Sequence, residues 1–152
     1  LYCAKAADIL KQRYPDLDFR IIGAVSDEFK KSPDFKNLNF IGVLNKQQLQ
    51  NEYRSAEAYV FPTLFEGFAG TVIEAASCGC PIITTECAGT DMKEFPAIYI
   101  PTHDVDAIVD SVEKIFEDAS IRDNLSKDVY EYSATLKSET YKENLVKYLS
   151  NI

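Results

Sequence analysis

Positive charge is in short supply in this chain: 16 Lys and Arg stand against 24 Asp and Glu, a net charge of −8. So acidic a protein is a poor partner for a polyanion, and nucleic-acid binding is excluded. Histidine is scarcer still, with His103 the single one. Of the four cysteines, Cys78-Gly79-Cys80 has x1 spacing, too tight for a zinc site. No metal is expected, and the thiols read as small, reduced, buried groups. No apolar run approaches the roughly 18 residues of a membrane span. The opening Leu1-Tyr2-Cys3-Ala4-Lys5 reads as an amphipathic helix and not as a secretory leader. A cytoplasmic protein is the expectation. Two phosphate-binding signatures are also missing. No G-x-G-x-x-G follows a strand, which disfavours a dinucleotide dehydrogenase, and no Walker lysine is present, which excludes a P-loop enzyme.

What is present is an ordinary soluble composition, 46% apolar and 26% charged over 152 residues, enough for one domain with a real core. Cys3, Ala6, Ala7, Leu10 and Tyr14 recur at helical spacing, and Pro15 ends that helix. Residues 19–23 and 39–42 read as short buried strands. A polar, Lys/Asp-rich turn and loop over 26–37 separates them. Asn45-x-x-Gln48 predicts a capped helix to about Arg54. Tyr59-Val60-Phe61 is a strand stopped by Pro62, and residues 82–86 and 98–100 are two more. Asp104 caps a helix with an apolar stripe from Val105 to Phe116. Ser120-x-x-Asp123 starts another, and a last helix is expected over about 139–150. No repeat, linker or low-complexity tract interrupts this order. Alternating helices and strands predict an α/β fold, a Rossmann-like, doubly wound, mostly parallel sheet with right-handed crossovers.

The chain is organised around residues 58–90. There a strand, the loop Glu66-Gly67-Phe68-Ala69-Gly70, a small-faced helix closed by Gly79, and a second strand make one βαβ unit. The loop lies at the strand's carboxyl end, where open α/β sheets bind ligands. Gly67 and Gly70 permit positive φ and close approach to the main chain. A helix starting near Thr71 offers free N–H groups to a phosphate. Carboxylates Glu66 and Glu74 suit sugar hydroxyls. A ligand with both groups is a nucleotide-sugar. A plainer reading stands beside this one: Thr71-x-x-Glu74 is also a capping box, and Glu66 could be a solvated loop carboxylate.

Glu66 and Glu74, with Gly67-Phe68 between them and Ala75-Ala76-Ser77-Cys78-Gly79-Cys80-Pro81 behind, resemble the E-x7-E signature of retaining GT-B glycosyltransferases of glycosyltransferase family 4. The resemblance covers about residues 1–152 and matches the family's C-terminal, donor-binding half. It implies that Glu66 binds the donor sugar near its anomeric carbon and has the catalytic role. Glu74 then takes the ribose hydroxyls. The N–H groups of Phe68, Ala69, Gly70 and Thr71 take sugar and phosphate oxygens. Gly42, Val43 and Leu44 flank the base. It further implies a single nucleotide-sugar-binding domain over 1–152. A sugar or lipid-linked acceptor is held by an N-terminal domain that is absent here, so transferase activity is not expected of this chain alone. No cofactor or metal is implied. The full-length protein would work in polysaccharide or glycolipid synthesis, in the cytoplasm or peripherally at the inner membrane face. A non-catalytic nucleotide-sugar-binding or partner protein, and an epimerase of the same fold, are the alternatives.

The pattern departs from the family in two places. The family's first strand and its Arg/Lys loop are not seen before residue 1, and Ala88-Gly89-Thr90-Asp91-Met92-Lys93-Glu94 keeps one glycine of the family's Gly-Gly-x-x-Glu. In a 3-2-1-4-5-6 sheet the first strand is central. Without it, strands 19–23 and 58–61 are expected to pair directly or to be covered by a neighbouring chain, with self-association of the fragment as one route.

Overall fold

The computed structural model describes residues 1–88 and 94–136. The helix expected over 139–150 and the loop at 89–93 lie outside the described residues. In chain order the elements are α1 (Tyr2–Arg13), β1 (Phe19–Ile22), α2 (Asp27–Lys30), β2 (Leu38–Gly42), α3 (Lys46–Ser55), β3 (Tyr59–Phe61), α4 (Gly70–Ser77), β4 (Ile82–Thr84), β5 (Ile98–Tyr99), α5 (Val105–Glu117) and α6 (Ala119–Thr135). A 3-10 turn at Pro33–Phe35 falls between α2 and β2.

Local chemistry accounts for most boundaries. Asn45 caps α3 in a full capping box, its side chain accepting from the Gln48 N–H while Gln48 reaches back to the Asn45 N–H. Asp104 accepts from the Ala107 N–H and starts α5. Gly79 takes φ 74° just past α4, the left-handed turn that ends the helix before Pro81. The start of α6 differs from expectation. Asp118, not Ser120, is its cap, accepting from the Ser120 and Ile121 N–H groups. An aspartate at that place satisfies two orphan donors, so the helix begins earlier than Ser120-x-x-Asp123 predicts.

The doubly wound layering is as expected. Ile82 and Ile83 are neighbours on β4 and point to opposite faces. Ile82 joins a cluster with Tyr53 of α3, Val72, Ala75 and Ala76 of α4, and Val129 of α6. Ile83 joins another with Ala6 and Leu10 of α1 and Ile108, Val112 and Ile115 of α5. Two apolar layers therefore sandwich the sheet, and β4 is wholly buried between them.

The sheet itself is not continuous. β1 pairs with β2 in parallel, and β3, β4 and β5 form a separate parallel set in that order. Strand order within each part agrees with the expected one, but β1 and β3 do not pair. Direct pairing of 19–23 with 58–61 is thus overturned. The two parts are joined through the core and not through their edges: Leu17, Phe19, Ala58 and Val60 pack with Leu10 of α1 in one apolar cluster. Among the described residues no helix is long and apolar enough to cross a membrane.

Candidate functional site

The loop after β3 is built by lacing it to the loop after β4. Thr84 and Thr85 are buried, and their hydroxyls donate to the carbonyls of Phe61 at 2.9 Å and Thr63 at 2.6 Å. Glu66 N–H then donates to Cys87 O at 3.0 Å, and Ala69 N–H to Ala88 O at 3.2 Å. The two strand ends thus make one ledge. Ala69 is buried and pinned, while Phe65 and Phe68 stand out from it, 87% and 65% exposed.

Helix α4 rises from this ledge. It begins at Gly70, one residue before the expected start, with Ala69 as N-cap and no side-chain cap. The capping box at Thr71-x-x-Glu74 does not form. Thr71 is otherwise engaged, its hydroxyl accepting from the Tyr59 phenol at 3.0 Å. That removes the capping explanation for Glu74, which lies exposed on the first turns of the helix. Glu66 is half-buried at the other end of the loop. Neither carboxylate accepts a hydrogen bond or joins an ion pair with a described residue. Glu66 at the start of the loop and Glu74 within α4 thus bracket an uncapped helix N-terminus in the chain.

The loop glycines work differently from expectation. Neither Gly67 nor Gly70 has positive φ. At Gly67 the place of a Cβ is open space, so its contribution is room for a ligand at the main chain. The donor set is also smaller than expected. Ala69 N–H is spent on Ala88, and Gly70 N–H on Phe68 O at 2.9 Å. No backbone bond to a described residue engages the N–H groups of Gly67 and Phe68, and Thr71 lies in the first helical turn, whose N–H groups lack intrahelical acceptors. Gly67, which sequence reasoning did not place among the candidate N–H donors, joins Phe68 in having an N–H that no described residue's backbone engages. The signal was available: a bend glycine ahead of a helix is the usual place for a free N–H.

Two phenols and a thiol behind the loop are raised by burial. Burial pushes the Tyr59 phenol up, with the Thr71 bond opposing and Glu74 adding to the rise. Burial raises Tyr53 likewise, and it pushes the Cys80 thiol up to about 12, so that thiol is inert. Tyr53, Tyr59 and Phe61 form an aromatic run, with centroids 5.5 and 5.9 Å apart, that backs the ledge. No cluster of His, Cys, Asp and Glu among the described residues could hold a metal ion.

Gly42, Val43 and Leu44 form a second group, at the carboxyl end of β2. Gly42 has φ 87° and its carbonyl accepts from Gly23 N–H at 2.9 Å; Val43 is 75% exposed. With Gly23, Ala24, Val25, Ser26 and Lys30, Gly42 and Val43 line a shallow depression of about 430 Å³. Leu44 is half-buried and outside that lining. No hydrogen bond or ring contact between described residues joins this group to the 66–74 face. Lys30 brings a cation to it, 3.4 Å from Asp27. The polar stretch 26–37 hid it, since nothing in its pattern separates a cation beside a strand end from a solvated one.

The fold defines a parallel-stranded α/β domain flanked by helices, and comparison with known proteins gives its family. Residues 1–118 match the family model Glycosyl transferases group 1, and the chain belongs to that family. The D-inositol 3-phosphate glycosyltransferase of Arthrobacter sp. (strain FB24) is 28% identical over 138 residues, 81% of this chain and 32% of that protein. This chain thus spans about a third of that relative's length. Among solved structures, the C-terminal domain of a glycosyl transferase group 1 family protein (LpcC) from Francisella tularensis superposes with a TM-score of 0.75 at 19% identity, covering 89% of this chain and 77% of that one. Anabaena Alr3699/HepE in complex with UDP-glucose superposes at 0.76 with 13% identity, over 97% and 44%. At such identities these likenesses establish the fold alone.

Proposed function

We propose that this chain is the donor-binding half of a glycosyltransferase that moves a sugar from a nucleotide-sugar to an acceptor with retention of configuration, in polysaccharide or glycolipid synthesis. The acceptor is a sugar or lipid-linked molecule held by a second domain. No cofactor or metal takes part. The observation that supports this reading is the uncapped N-terminus of α4, bracketed in the chain by the accessible Glu66 and Glu74.

The chemistry follows from that arrangement. The bond from the anomeric carbon to the diphosphate breaks, one to the oxygen of an acceptor hydroxyl forms, the hydroxyl proton passes to the departing diphosphate, and negative charge grows on that group as it leaves. The N–H groups of Gly67, Phe68 and the first turn of α4, with the positive end of its dipole, stabilise that charge in this reading. Glu74 accepts from the ribose hydroxyls. Glu66 accepts from sugar hydroxyls beside the reacting carbon. The depression at Gly42 and Val43, with Leu44 behind it, receives the base.

The test uses the complete enzyme. Glu74→Gln is expected to weaken donor binding by about 1.5–3 kcal/mol, the loss of a charge-assisted bond. Glu66→Gln is expected to lower kcat more than donor affinity. Isothermal titration with the donor and steady-state kinetics separate the two. If both substitutions leave affinity and rate unchanged, the carboxylates are ordinary surface groups.

A further inference from the structure

Helix α4 starts against its own sequence. Thr71 and Glu74 have the residue types and spacing of a capping box, and alanine is among the poorest N-caps. Yet the helix opens one residue before Thr71, with Ala69 as its N-cap and no side-chain cap. A local preference is overridden only by a tertiary contact, and such conflicts collect at functional places.

The contact is the Tyr59 phenol, which donates from β3 to the Thr71 hydroxyl at 3.0 Å. Tyr59 is itself held firmly. Its N–H donates to Pro81 O at 2.8 Å, and its ring meets Tyr53 edge-on at 5.5 Å and stacks on Phe61 at 5.9 Å. Burial raises the phenol above its ordinary value and the charge of Glu74 adds to the rise, so the group stays a donor within electrostatic reach of that carboxylate. A Thr71 hydroxyl fixed on this ring does not serve the Glu74 N–H, as an N-cap would. A hydroxyl bond and a helix cap stabilise by similar amounts, so one bond is enough to decide between the two starts. The capped start would take a carboxylate out of the site. In a capping box the Glu74 side chain reaches back to the Thr71 N–H, and both groups are spent inside the helix.

We propose that Tyr59 is a positioning residue, whose bond to Thr71 holds α4 in its uncapped start and so keeps the Glu74 carboxylate free for a ligand. The use of that carboxylate rests on the donor-site reading, whereas the choice of helix start does not.

Native-state hydrogen exchange at the Thr71 amide of the 152-residue chain reads the helix start. In the wild-type chain that amide has no acceptor within its helix. Tyr59→Phe keeps the ring and its packing and removes the bond. The box is then expected to form, and exchange at Thr71 to slow at least about tenfold. Tyr59→Phe/Thr71→Val has no hydroxyl with which to cap and is expected to exchange as the wild-type chain does. Titration with uridine and guanosine diphosphates follows the carboxylate. Affinity for the diphosphate that binds is expected to fall about tenfold in Tyr59→Phe and to recover in the double variant, where a merely structural tyrosine would leave the double variant no better than the single one. Equal exchange at Thr71 in the wild-type chain and Tyr59→Phe overturns the proposal. So does slowing that persists in the double variant, or slowing with unchanged diphosphate affinity. The expected exchange pattern with neither diphosphate bound by the wild-type chain upholds the helix start and counts against the donor-site reading alone.

Discussion

Gly67 shows how a residue can matter to a ligand and not to the fold. Its φ lies outside the left-handed region and nothing stands within 4 Å of its would-be Cβ, so Gly67→Ala is expected to leave thermal stability unchanged. The added methyl projects into the space over the loop's free N–H groups, and donor affinity of the complete enzyme is expected to fall about tenfold or more, roughly 1.4 kcal/mol. A thermal melt and a donor titration on the same variant check both halves. At this scale the candidate site was partly legible in the sequence. Glu66 and Glu74 were singled out by their spacing. Which N–H groups are free was not legible, because it depends on the carbonyl of Ala88, which meets Ala69 only once two strands are side by side.

Helix ends were more legible than the sheet, and their exceptions are instructive. Asp118 caps α6, and the Ser120 hydroxyl, followed by the Ile121 N–H, holds its carboxyl below the ordinary aspartate value. A lowered folded-state pKa means stabilisation that is present above the unfolded value and lost as pH falls through the folded one. The wild-type chain is therefore expected to melt above Asp118→Ala at pH 6–7, and the gap to narrow as pH drops below about 4. Melting curves across that range check it, and a gap that stays constant with pH would rule out a charged cap. Gly79 offers a second case. Its left-handed φ and the Ser126 hydroxyl, 3.4 Å from its would-be Cβ and donating to its carbonyl at 2.6 Å, fix the turn between α4 and β4. Gly79→Ala is expected to cost about 1–2 kcal/mol in urea unfolding, the penalty for an L-residue there.

For the whole molecule, the chain spans about a third of the length of its first curated relative, and transition-state stabilisation needs charge and positioning from both sides of a cleft. The purified 152-residue chain is accordingly expected to release no nucleotide from UDP-glucose above background in a coupled assay. Turnover near ordinary enzyme rates, on the order of 10 s⁻¹, would overturn the assignment of this chain as a donor-binding half.

The sequence by itself determined the succession of elements, the two-faced burial and the strand–loop–helix unit that carries the candidate site, because each rests on short-range chemistry. Alternation put Ile82 and Ile83 on opposite faces, Asn45 and Asp104 capped their helices, and Glu66 and Glu74 bracketed one loop. Only the tertiary structure decided the break between β1 and β3, the commitment of Thr71 to Tyr59 in place of its own helix, and the closeness of Lys30 to Gly42. Each of these joins groups far apart in the chain, or leaves partners unjoined. Residue spacing carries local capping and periodicity, but it does not carry which strand edges meet in the folded chain.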